Sequence, residues 1–115
     1  MRKIVWMMSV SVDGYMEGPN REIDWHMVDD ELHRHMNGWL AGAGAFLEGR
    51  VTYELMEDFW PTADQDPAAQ QTITEFAQIW REMPKVVYSR TLERAGGNAT
   101  VVHDVVPGEV LALKA

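Results

Sequence analysis

Residues 46–56 read Phe-Leu-Glu-Gly-Arg-Val-Thr-Tyr-Glu-Leu-Met, and these residue types in this order suit an anion. A short apolar strand runs into a turn at Gly49, and a helix opens at Arg50 or Val51. The first turn of a helix leaves backbone N–H groups without partners. They lie at the positive end of the helix dipole, where phosphate binds. Gly49 has no Cβ, so a ligand can approach the backbone there. Arg50 adds a planar donor fork matched to phosphate oxygens. Such a charge pair about 4 Å apart is worth up to about 4 kcal/mol at an effective dielectric of about 20. A strand–glycine–helix turn also forms without a ligand, so the rest of the chain has to support the assignment.

Other constellations carry less. His26, Asp29, Asp30 and His33 stand at offsets that share a helix face, the spacing of a metal site. His26 precedes the helix, however, and His33 and His35 point to nearly opposite sides, so no metal is expected. The chain has no cysteine, which removes disulfides, thiolate ligands and cysteine nucleophiles. No serine sits at a nucleophile elbow. Asp13 reads first as a turn former with Gly14 and only second as a catalytic acid.

The chain has 115 residues, 46% of them hydrophobic, with five tryptophans and a net charge of −8. That size and composition fit one globular domain with a modest core. The acidic balance argues against a nucleic-acid partner, which selects a basic face. It does not exclude a small anionic ligand, because exposed acids beyond about 8–10 Å are screened at physiological salt. No apolar run approaches a membrane span of about 20 residues. The basic-then-apolar start, Met1-Arg2-Lys3 and then residues 4–8, breaks at Ser9 and is read as a strand rather than a signal peptide. A cysteine-free chain fits a reducing compartment, and a cytoplasmic location is expected.

The elements that must position these groups follow from periodicity. Residues 3–12 form a nearly unbroken apolar run, suited to the centre of a parallel sheet covered on both faces, ending at Asp13-Gly14. A polar loop through Gly18-Pro19-Asn20 leaves that strand end, where open α/β sheets bind ligands. Val28, Leu32, Met36, Trp39 and Leu40 share one helix face, with Asp29, Asp30 and Glu31 in the first turn and Gly42 and Gly44 after the end. Residues 45–48 give a second strand. Residues 57–65 read as a loop, and Asp66-Pro67 as the cap and first position of a helix whose buried stripe is Ile73, Phe76, Ala77, Trp80 and Met83. Pro84 stops it. Residues 85–88 are a third strand, residues 100–103 a fourth, and Pro107 opens a last helix through Leu113. Trp6, Trp39 and Trp80 are assigned to the core, whereas Trp25 and Trp60 lie on loops that could line a pocket. Strands alternating with helices imply a parallel α/β sheet. An open edge on that sheet suggests a homodimer.

Three stretches then resemble one family. Lys3-Ile-Val, Ser9 and Ser11-Val12-Asp13-Gly14-Tyr15 resemble the opening of dihydrofolate-reductase-like proteins, including the reductase domain of bacterial riboflavin biosynthesis, the deaminase/reductase type. Leu47-Glu48-Gly49-Arg50-Val51-Thr52-Tyr53-Glu54 with Phe59-Trp60-Pro61 is similar to that family's second strand and following helix. Lys85-Val86-Val87-Tyr88-Ser89-Arg90-Thr91-Leu92 looks like its third strand and nucleotide-binding loop. The resemblance implies a three-layer α/β sandwich, a mostly parallel central sheet with helices on both faces, spanning residues 1–115 as the amino-terminal portion of one domain. It implies NADPH as cofactor, with Gly49, Arg50 and Thr52 at its phosphates and Ser89, Arg90 and Thr91 around the adenosine 2′-phosphate. Ser9, Val10, Asp13 and Trp25 would border substrate. Asp30, which follows Trp25 at a spacing similar to that of the family's substrate-binding acid, is a second weak catalytic candidate beside Asp13.

The family continues with a further strand, a Gly-Gly turn against the cofactor pyrophosphate and antiparallel strands. Here Gly96-Gly97 precedes a strand instead of following one. The domain is therefore expected to be incomplete at its carboxyl end. The expected activity is NADPH-dependent reduction of a pterin- or pyrimidine-like heterocycle. The alternative is a non-catalytic nucleotide-binding or self-associating remnant of the same fold.

Overall fold

The computed structural model describes all residues, Met1–Ala115. In chain order the elements are α1 (Asp30–Leu40), β1 (Phe46–Gly49), α2 (Arg50–Glu57), a 3-10 helix (Trp60–Gln65), α3 (Gln71–Glu82), β2 (Lys85–Tyr88), β3 (Ala99–Val102) and α4 (Pro107–Lys114). The sheet is parallel throughout, in the order β1-β2-β3. Phe46 faces Lys85 and Gly49 faces Tyr88 across one ladder, and Lys85 faces Ala99 and Tyr88 faces Val102 across the other. All three strands therefore end at one level.

Strand alternation places Phe46, Glu48, Lys85, Val87, Ala99 and Val101 on one face of the sheet. There Val87 packs with Tyr53 of α2 and Phe76 and Trp80 of α3, joined by Phe46, Met56, Leu92, Ala95 and Ala99 at the margin. Tyr53 and Phe46 both lie with ring centroids 6.2 Å from Trp80. Aromatic pairs at such spacing add about 0.5–1.5 kcal/mol beyond the area they bury. The expected α3 stripe holds for Phe76, Ala77, Trp80 and Met83, all buried. Thr72 on the same helix is also fully buried.

Four expectations need correction. The helix expected from Asp66-Pro67 begins instead at Gln71, because Asp66 spends its carboxylate on a separate turn, accepting from the Ala68 N–H at 2.9 Å. Residues 60–65, read as loop, form a 3-10 helix with Pro61 near its start. On α1 the inward face is turned from the expected stripe: Leu32 and Trp39 are exposed while Asn37 is buried. Asn37 Nδ2 donates to the Thr72 carbonyl at 2.9 Å, a partner beyond the reach of local pattern, while its Oδ1 is buried without a partner. Finally, residues 3–12 form no strand; Trp6 is 86% exposed, and neither it nor Trp39 joins the core. An extended run is held only by a neighbouring edge, and residues 3–10 make no backbone hydrogen bond.

Candidate functional site

Parallel pairing of Gly49 with Tyr88 puts two chain reversals, Gly49-Arg50 and Ser89-Arg90-Thr91, on the carboxyl rim of the sheet. At the first, Gly49 is the N-cap of α2 and supplies no side-chain cap, and no acid stands in the first helical turn. The early N–H groups therefore have no side-chain acceptor, and no carboxylate offsets the positive end of the dipole. A Cβ on Gly49 would meet nothing within 4 Å, so the approach is open. Thr52 is exposed on the same turn.

At the second reversal the Ser89 hydroxyl accepts the N–H groups of Thr91 (3.2 Å) and Leu92 (3.0 Å). Its own N–H donates to the Val102 carbonyl at 3.0 Å. These bonds fold the loop back and leave Arg90 outward. Arg90 bonds Asp104 at 2.8 and 3.2 Å, with the two side chains 82% and 66% exposed. Arg50 likewise reaches Glu54 at 3.2 Å one turn along α2. Pairs this exposed are worth about 0.2–1 kcal/mol each. A charge-assisted hydrogen bond of about 1.5–3 kcal/mol outweighs either of them.

The residues expected to border substrate, and the two acidic candidates, make the following contacts. Ser9 and Val10 lie on the exposed amino-terminal segment. Asp13 accepts from the Ser11 hydroxyl at 2.6 Å, and the Tyr15 N–H donates to that same hydroxyl at 2.8 Å. With Gly14 at φ 95°, this is a tight turn. Trp25 donates to the Glu22 carbonyl at 3.0 Å and meets His26 edge-on at 4.2 Å. Asp30 is held by Arg34 at 2.6 Å and by the Thr72 hydroxyl at 3.0 Å, fastening α1 to α3. Burial draws the His33 pKa downward, against Asp30 and Glu75, and no group of three or more His, Asp or Glu stands close enough to hold a metal.

Sequence reading passed over a cluster of charge beneath β1. Glu48 turns inward with Phe46, and its Oε2 is buried with no hydrogen-bond partner. Burial pushes its carboxyl up to about 7, Lys85 opposing and Glu57 reinforcing. Lys85 is itself buried; its ammonium donates to the carbonyls of Trp80 and Met83 and lies 4.5 Å from the Trp80 ring centroid. Desolvation lowers its pKa, with Glu57 and Glu48 pulling the other way. Trp80 Nε1 donates to Glu57 at 2.9 Å. Tyr53 accepts from the Gly96 N–H at 3.1 Å, and its phenol pKa is raised, chiefly by burial. The signal was present: an acid two residues after an inward Phe, in a strand of period two.

The RibD C-terminal domain family matches residues 2–112. Among curated proteins the chain is similar to the uncharacterized protein YyaP of Bacillus subtilis (strain 168), 28% identical over 113 residues. That alignment covers 98% of this chain and 57% of the relative, so the chain spans little more than half of that protein's length. No solved structure matches.

Proposed function

The chain belongs to the RibD C-terminal domain family, dihydrofolate-reductase-like α/β domains of reductase type, and on that premise we propose that it binds NADPH across the carboxyl rim of its sheet. The observation that carries the reading is the shared level of Gly49 and Tyr88, which sets both reversals on one side. Ligands of open α/β sheets bind at that rim. Gly49, Arg50 and Thr52 would hold the cofactor phosphates through backbone donors, a guanidinium fork and a hydroxyl. Ser89, Arg90 and Thr91 would hold the adenosine 2′-phosphate, Ser89 shaping the loop and Arg90 supplying the charge.

The donor set fits such a ligand: an α2 start free of acids and a Gly49 with open space above it. The bound nicotinamide supplies hydride. The substrate would be a pterin- or pyrimidine-like heterocycle, and the chain's part is to orient it and exclude water. The alternative is a non-catalytic nucleotide-binding or self-associating form of the same fold, favoured by the exposure of Ile4, Val5, Trp6, Met7 and Met8.

NADPH fluorescence is titrated with this chain and with one extended by about 60–80 residues to a typical domain size. Binding in either supports the dinucleotide reading; binding in neither rejects it and leaves the self-associating form. In whichever form binds, Arg90→Ala should weaken NADPH at least tenfold, as loss of a charged hydrogen bond of about 1.5–3 kcal/mol requires, and NADH less than twofold. Equal losses would reject the 2′-phosphate role.

A further inference from the structure

We infer that Asp104 determines specificity at the proposed dinucleotide site, holding down its preference for a cofactor with a 2′-phosphate over one with a free 2′-hydroxyl. The inference rests on the dinucleotide reading and adds to it the residue that opposes Arg90.

The contact between the two comes from register rather than from local sequence, since Arg90 and Asp104 are 14 residues apart. Tyr88 faces Val102 across the parallel ladder. Each chain runs on two residues past that pair, so Arg90 and Asp104 leave the carboxyl rim side by side. The Ser89 N–H, donating to the Val102 carbonyl at 3.0 Å, ties the two exits together. The Arg50–Glu54 pair is of another kind: its members stand four apart on one helix, a spacing that pairs charges on any helix surface.

The atoms in contact decide what the pair does. Arg90 donates from Nε at 3.2 Å and from Nη2 at 2.8 Å, and both bonds end on Oδ1 of Asp104. Nε and Nη2 form one edge of the guanidinium fork, the kind of edge that grips two phosphate oxygens in parallel. Asp104 therefore fills an edge that a 2′-phosphate would take. A phosphate on the other edge would share the guanidinium with a carboxylate of its own sign. Either way the acid works against the phosphate. A free 2′-hydroxyl meets the opposite balance, because it can donate to Oδ2, the oxygen left out of the pair. In dinucleotide-binding α/β sheets an acid accepts the ribose 2′-hydroxyl, and an arginine accommodates the 2′-phosphate. Here the two groups are in contact, and they favour different cofactors.

Asp104→Asn removes the charge and keeps the shape, and both side chains of the pair are largely exposed, so no core packing is lost. In whichever form binds NADPH, fluorescence titration should show the variant binding NADPH at least threefold tighter and NADH no tighter. An exposed charge pair accounts for a change of about two- to fivefold. Glu93→Gln, which removes another exposed acid of the same loop, should move the NADPH-to-NADH ratio less than half as much. An equal shift from Glu93→Gln would assign the effect to net charge and overturn the inference. NADPH binding unchanged or weakened by Asp104→Asn, while Arg90→Ala still costs tenfold, would also overturn it and leave the dinucleotide reading standing. A second measurement needs no dinucleotide: 2′-AMP titrated against this chain, followed by the Arg90 Nε–H signal in NMR. Asp104→Asn should tighten 2′-AMP at least threefold and leave adenosine unchanged; no change for 2′-AMP, or no binding of it, refutes the role of Asp104. Tighter 2′-AMP without NADPH binding in any form would keep that role and remove only the proposed function.

Discussion

Glu48 offers the sharpest test of the packing. Burial without a hydrogen-bond partner for Oε2 lifts its pKa from an ordinary 4.5 to about 7. A carboxyl raised in this way holds its proton more tightly in the folded chain than in the unfolded one. Its contribution to stability is therefore complete below pH 4.5, is lost as pH rises toward 7, and is constant above that. At about 1.4 kcal/mol per pH unit, that interval corresponds to an upper bound of about 3.4 kcal/mol. Because Glu48 is only half-buried, solvent screening reduces this to roughly 1–2 kcal/mol. Glu48→Gln removes the titration and keeps the shape. Urea unfolding at pH 5 and pH 8 should show the variant close to the parent at the lower pH. At the higher pH it should be more stable by roughly 1–2 kcal/mol, the lost proton-linked term. An equal offset at both values would mean that Glu48 is ionised in the fold and that its buried environment is misread.

Three further outcomes are expected. Trp80→Phe removes the bond to Glu57 and shrinks the ring beneath Lys85, and should cost roughly 2–4 kcal/mol by urea unfolding; a loss too small to measure would show that the cluster does not organise around Trp80. Asn37→Ala should cost about 1–2 kcal/mol, because the Thr72 carbonyl loses its donor inside the α1–α3 contact. Asp30→Asn should leave NADPH affinity of any binding form within twofold, since its carboxylate is occupied by Arg34 and Thr72; a tenfold fall would return Asp30 to the ligand site.

The legible parts of the fold are those fixed by local chemistry. Residues 85–88 appear as β2 with the expected bounds, since Pro84 stops the preceding helix and Lys-Val-Val-Tyr has strand character. The opening of α2 at Arg50 follows from Gly49 in the same way. What stayed hidden depended on partners distant in sequence. The α1 face is set by Asn37 meeting a carbonyl on α3, and the apolar segment 3–12 can be a strand only where an edge receives it. At the site, sequence chemistry selected the reversals at 49 and 90, and only the register showed that they share a rim. It did not reveal that Arg50 and Arg90 each rest on a neighbouring acid, because Asp104 reaches Arg90 through the pairing of β2 with β3.

The return from β2 to β3 has a mechanical consequence. Residues 89–98 cross from one rim to the other without a helix, and on the way Leu92 and Ala95 press into the core while Gly96 hangs from the Tyr53 hydroxyl. Tyr53 stands one turn inside α2, the helix that opens at Arg50. The Ser89-Arg90-Thr91 loop and the helix carrying the other reversal are thereby tied through one phenol. On the proposed dinucleotide reading, a molecule gripping both ends would span a single connected unit, whereas either of its halves alone would hold only one end of it.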